Sequence, residues 1–123
     1  MDDRLDAVVG DDKVGRVAGR FFNRYDVLIT PTLCEPPYRL GVLNMSNNDP
    51  QAYLRALLGT IAFTSLFNTA GNPAMSVPLH WSADGLPIGV QFAASFGDEA
   101  TLFRLAAQLE AARPWADRRP PRH

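Results

Sequence analysis

A thiol at Cys34 and an imidazole at His80 are the side chains best suited to covalent chemistry, as a nucleophile and the base that would activate it. They are far apart in the sequence and no local pattern joins them, so Cys34 reads as packing or pocket lining after a strand. His80, beside Trp81, reads as a solvated or core-edge residue. A metal centre needs several His, Cys or carboxylate ligands at close spacing. The 2 histidines and 1 cysteine stand isolated, and no metal is expected. Phosphate cradles require glycines that lead into a helix amino terminus, as in G-x-G-x-x-G or the P-loop. Neither pattern occurs, so no cofactor is expected, and the residues on their own nominate no catalytic group.

Charge narrows the partners. The chain carries 12 basic and 13 acidic residues, so no net field draws it to nucleic acid or anionic lipid. Arg118, Arg119 and Arg122 form a short basic, proline-rich stretch over 116–123, which reads as a solvated tail. Hydrophobic residues make up 46% and charged residues 20% of the chain, as in folded soluble domains. No apolar run approaches the roughly 20 residues of a membrane span. The acidic opening MDDRLDAVVGDDK has neither a basic leader nor an apolar h-region, and a single thiol suits a reducing compartment. A cytoplasmic protein is expected.

The elements that must position any site follow from periodicity. Residues 1–12 are read as an acidic flexible start. Val14, Val17, Ala18, Phe21, Phe22 and Tyr25 recur at helical spacing, and Val27-Leu28-Ile29-Thr30 is a β-branched run stopped by Pro31, which predicts a buried strand. Prolines and asparagines between Pro31 and Pro50 predict a long loop. Asp49-Pro50 opens a helix in which Tyr53, Leu54, Leu57, Leu58, Ile61 and Ala62 keep a helical stripe, and with almost no charge after Arg55 its second half is expected to be buried nearly all round. Asn68 to Pro73 are turn formers. Strands over 74–80 and 86–94 flank Asp84-Gly85 and predict an antiparallel hairpin. In the second, bulky Ile88, Val90, Phe92 and Ala94 alternate with Gly89, Gln91 and Ala93, leaving one face open to close packing. Asp98 caps a last helix ended by Pro114. The fold class is α/β, in the order helix, strand, loop, helix, β-hairpin, helix over 13–115.

Three stretches together resemble the amidase signature family, specifically its carboxy-terminal portion. They are Tyr25-Asp26-Val27-Leu28-Ile29-Thr30-Pro31-Thr32, then Phe63-Thr64 through Asn68-Thr69-Ala70-Gly71-Asn72-Pro73-Ala74-Met75-Ser76-Val77-Pro78, then Asp84-Gly85-Leu86-Pro87-Ile88-Gly89-Val90-Gln91-Phe92. The helix from Asp98 to Glu110 is similar to the family's ending. The resemblance implies a partial amidase fold and amide hydrolysis by a serine, a cis-peptide serine and a lysine. None of that triad matches here. No Gly-Ser-Ser-rich run occurs, and the only lysine, Lys13, lies between Asp12 and Val14 and does not fit the family's lysine motif.

The resemblance also implies that Pro31, Thr32, Ile61, Phe63 and Thr64 lie at the substrate pocket, as lining rather than as catalysts. Glutamine-handling relatives place an acid just before the Phe-Thr pair. Here the neighbourhood is Thr60-Ile61-Ala62, which offers no partner for an ammonium group and implies a small uncharged amide. Two readings of the chain follow: a fragment or subunit of an amidase-family hydrolase, inactive alone, or a non-catalytic binding or assembly module. Both imply a partner, either a second copy or the missing amino-terminal amidase portion, and self-association through the exposed strand 27–30 and helix 53–62.

Overall fold

The computed structural model describes residues 3–46 and 49–119, with side-chain environments from Lys13 onward. Seven elements follow in order: α1 (Asp3–Phe22), β1 (Val27–Pro31), α2 (Pro50–Thr60), α3 (Ser65–Ala70), β2 (Ala74–Trp81), β3 (Pro87–Ala94) and α4 (Glu99–Ala112). This is a mixed α/β arrangement, as the periodicities predict.

The strands form one antiparallel sheet in the order β1-β3-β2, with β3 in the centre. The β2–β3 hairpin closes at Asp84-Gly85, where Gly85 N–H donates to Ser82 O at 3.0 Å and Ser82 N–H donates to Leu86 O at 2.9 Å. The two faces of β3 do different work because side chains alternate along a strand. Phe92 and Ala94 turn to α4 and bury with Val77 and Leu102, and Val27, Met75, Val90, Leu105 and Leu109 pack around them. Gly89, Gln91 and Ala93 turn the other way. There α3 and the segment before it approach the sheet, and α1 packs on α3.

Both acidic caps form as their residue types dictate. Asp49 accepts from the Gln51 and Ala52 amides at 3.0 Å, with Pro50 at the first helical position. Asp98 accepts from the Thr101 amide at 3.3 Å.

Four expectations are corrected. First, α1 begins at Asp3, not Lys13, so the acidic start is helical where it is described. Second, β1 is an edge strand with a neighbour on one side only, and Ile29 is 60% exposed. A short β-branched run fits either position, and register alone separates them. Third, the second half of α2 is not buried all round. Leu58 is 55% exposed, because an apolar stripe is buried only where something lies against it. The exposed apolar surface expected along strand 27–30 and helix 53–62 is present at Ile29, Leu54 and Leu58. Fourth, the helix ends at Thr60, and a separate α3 precedes Gly71, whose φ of 72° ends it in a left-handed cap.

The basic tail is exposed over 116–119, where it is described. Trp115 packs against the core, and the Arg118 guanidinium lies 4.1 Å above the Trp81 ring. Residues 120–123 lie outside the described residues.

The core arrangement sets an expectation for α4. Leu102 is 5% exposed and the adjacent Phe103 is 75% exposed. Leu102→Ala should lower stability by about 2–4 kcal/mol in urea unfolding, while Phe103→Ala stays within roughly 0.5 kcal/mol.

Candidate functional site

The face of the sheet turned away from α4 is polar in its middle. Register places Thr30, Gln91 and Ser76 side by side across the three strands, since Thr30 pairs with Gln91 and Gln91 with Ser76. Residues directly opposite in antiparallel strands share a face, so their side chains meet. One row further on, Pro78 stands opposite Gly89, and Thr32 N–H donates to Gly89 O at 3.1 Å.

Gln91 is the hub of this face. It is 5% exposed, and its Nε2 donates to Thr30 Oγ1 at 3.0 Å and to the Phe63 carbonyl at 3.3 Å. A carbonyl can only accept, so this second bond fixes which end of the amide is nitrogen. Both amide protons are therefore used. The contact ties β1, β3 and the turn before α3 into one unit. That turn holds itself through Ile61 O, which accepts from the Thr64 and Ser65 amides at 3.1 Å and from Thr64 Oγ1 at 3.1 Å.

Gly89 makes room for a second polar contact. Thr32 Oγ1 and Ser76 Oγ are 2.6 Å apart, from the strands on either side of β3. A Cβ at position 89 would stand 2.6 Å from Ser76 Oγ and 2.7 Å from Thr32 Oγ1. The hydroxyl bridge thus passes over the one residue type that leaves space for it.

A cavity of about 430 Å³ opens here, lined by Thr32, Thr64, Asn68, Asn72, Ser76 and Gln91 together with Phe67, Ala74 and Met75. No ionisable side chain is in that lining. Asn72 Nδ2 is committed to Ala94 O at 2.8 Å. Across the Thr32–Ser76 bridge a smaller cavity of about 160 Å³ is bounded by both hydroxyl residues, Gly89, Ile88 and Glu35.

The pocket residues expected from sequence are distributed unevenly over this geometry. Thr32 lines both cavities and Thr64 the larger. Phe63 contributes its carbonyl to Gln91 and Ile61 its carbonyl to the turn. Pro31 ends β1 opposite Val90 and is exposed. Pro31, Ile61 and Phe63 line neither cavity.

Cys34 is exposed, and its amide donates to Thr60 O at 3.3 Å. His80 is exposed beside a bulge in β2. Among the described residues no cluster of three His, Cys, Asp or Glu could hold a metal ion. Sequence reasoning missed Ser76, Asn68 and Asn72. The alternation that set Gly89 and Gln91 on one face was the available signal, but nothing marked Ser76 as their neighbour before the register was known.

The sheet thus gives one face to packing and carries hydroxyl and amide groups on the other. The chain belongs to the Amidase family, whose profile matches residues 11–103. It is 48% identical over 104 residues to "Putative amidase AmiC" of Mycobacterium leprae (strain TN), a match covering 85% of this chain and 22% of that protein. It is 42% identical over 101 residues to the 6-aminohexanoate-cyclic-dimer hydrolase of Paenarthrobacter ureafaciens, covering 78% of this chain and 20% of the relative. A solved structure of 6-aminohexanoate cyclic dimer hydrolase superposes with a TM-score of 0.76 at 40% identity, covering 87% of this chain and 23% of the other. The chain therefore spans about a fifth of the length of the relatives it matches.

The hub carries a stability prediction. Gln91→Leu keeps the volume but leaves the Phe63 carbonyl without its donor, and should cost about 1–3 kcal/mol in urea unfolding. A change under roughly 0.3 kcal/mol would show that the two bonds hold nothing in place.

Proposed function

We propose that this chain supplies the carboxy-terminal portion of an amidase-family hydrolase, contributing scaffold and one wall of the substrate pocket. The bond broken is an amide carbon–nitrogen bond. The serine, cis-peptide serine and lysine that break it belong to residues outside these 123 positions. The support is chemical. A nucleophile, its base and the oxyanion donors must lie within hydrogen-bond reach of one another. Here Ser76 has a hydroxyl as its partner, and the sole lysine, Lys13, lies on α1 in an apolar groove with Val14, Val17, Phe21 and Leu66.

The observation that carries the reading of the pocket is the uncharged lining of the larger cavity. A carboxylate or ammonium would find no counter-charge in that lining, whereas hydroxyl and amide groups are present to meet a neutral polar group. A small neutral amide is the substrate that fits, with Thr32 and Thr64 in contact and Pro31, Ile61 and Phe63 shaping the wall behind them. The exposed edge of β1 and the exposed Leu54 and Leu58 of α2 call for cover. The missing amino-terminal portion supplies it, and a second copy does so when the chain is alone. The setting is cytoplasmic.

Complementation tests this directly. The purified chain would be mixed with the part of the Mycobacterium leprae relative that precedes its matched segment, and ammonia release from hexanamide measured. Turnover is expected only in the mixture, with a hetero-complex in sedimentation and self-associated chain in its absence. Hydrolysis by the chain alone, with an acyl adduct on one of its own side chains, would contradict the proposal. So would a mixture that forms no complex.

A further inference from the structure

The bonds on the polar face leave an unused donor and an unused acceptor side by side. Two hydroxyls sharing one hydrogen bond consume one proton between them, so the Thr32–Ser76 pair keeps one O–H free to donate. Gln91 spends both Nε2 protons on Thr30 and Phe63, and its Oε1 accepts from neither. No buried side-chain nitrogen or oxygen lacks a partner among the described residues, so this oxygen is not sealed in the core, and Gln91 lines the larger cavity. Ser76 and Gln91 are direct cross-strand partners, which puts donor and acceptor on neighbouring side chains of one face.

We propose that Ser76, Thr32 and Gln91 form a specificity site for a neutral primary amide, whose carbonyl oxygen takes the free hydroxyl proton while the N–H on the same side as that oxygen donates to Gln91 Oε1. In a secondary amide the trans geometry turns the N–H away from the carbonyl oxygen. The inference rests on the reading of the larger cavity as a substrate pocket and adds the groups that select what enters it. None of the three is a nucleophile with a base, so the amide held here is oriented by them and not cleaved by them. An ester or a tertiary amide lacks the N–H and leaves Oε1 unpaired. A carboxylate has no proton to give and meets the same oxygen as a repulsive neighbour. Gly89 is a positioning residue, because any side chain there parts the two hydroxyls.

The test needs only the purified chain, labelled with nitrogen-15, and three probes: butanamide, N,N-dimethylbutanamide and butanoate. Butanamide should give saturable shifts at the Thr32 and Ser76 amides and the Gln91 side-chain NH₂. The other two probes should bind at least threefold more weakly. Ser76→Ala should weaken butanamide by roughly three- to tenfold, the loss of one neutral hydrogen bond. Thr32→Ser, which keeps a hydroxyl, should change it less than twofold.

Equal binding of the three probes, no saturable shift at these residues, or an unaffected Ser76→Ala chain would overturn the proposal. Should the Ser76→Ala chain not fold, the ranking of probes on the unaltered chain decides. Failure of complementation with the probe ranking intact would sink the hydrolase reading and leave this site standing, and the reverse pattern would do the opposite.

Discussion

Everything in this molecule depends on strand β3 having neighbours on both sides and a different kind of residue on each face. Its bulky face, Val90, Phe92 and Ala94, gives α4 something to pack on. Its small and polar face, Gly89, Gln91 and Ala93, is where the rest of the chain gathers. A one-residue slip of either outer strand would turn that strand's own side chains over and carry Thr30 or Ser76 away from Gln91 towards the apolar layer. Register is therefore fixed by chemistry on both sides at once.

Gln91 converts that register into a site. Its amide reaches β1 through Thr30 and the turn before α3 through the Phe63 carbonyl, so the wall of the cavity is fastened to the centre of the sheet. The segment it fastens is the one that carries Thr64 and leads into Phe67, which lines both the polar cavity and the apolar groove beneath α1. The chain belongs to the Amidase family and spans a small share of its relatives' length. Among the described residues, Ile29 of β1 and Leu54 and Leu58 of α2 carry exposed apolar surface.

Much of the fold was legible in the sequence wherever a local rule acted alone. Asp49-Pro50 and Asp98 announced helix starts because a carboxylate can satisfy free amides, and Asp84-Gly85 announced the hairpin because glycine closes that turn. The alternation along β3 was equally plain. What could not be read was anything decided by distant contact. The edge position of β1 and the uncovered state of α2 depend on what lies beside them, and an apolar pattern looks the same either way. α3 was hidden because its six residues are too short for a periodic signal. Of the residues around the candidate site, Thr32 and Thr64 were named through the family resemblance, and both line the larger cavity. Ser76 emerged only when pairing set it opposite Gln91, and a lone serine in a strand carries no mark of that.

The most direct measurement of the central claim is the hydrogen exchange of the Gln91 side-chain amide followed by nuclear magnetic resonance. With both protons bonded under the turn before α3, the two Nε2 resonances should be separate, shifted from their free positions and slower to exchange than those of the exposed amides of Gln51 and Gln108. Exchange at the same rate as those exposed groups would mean that the hub is not formed and that the cavity wall is not held to β3.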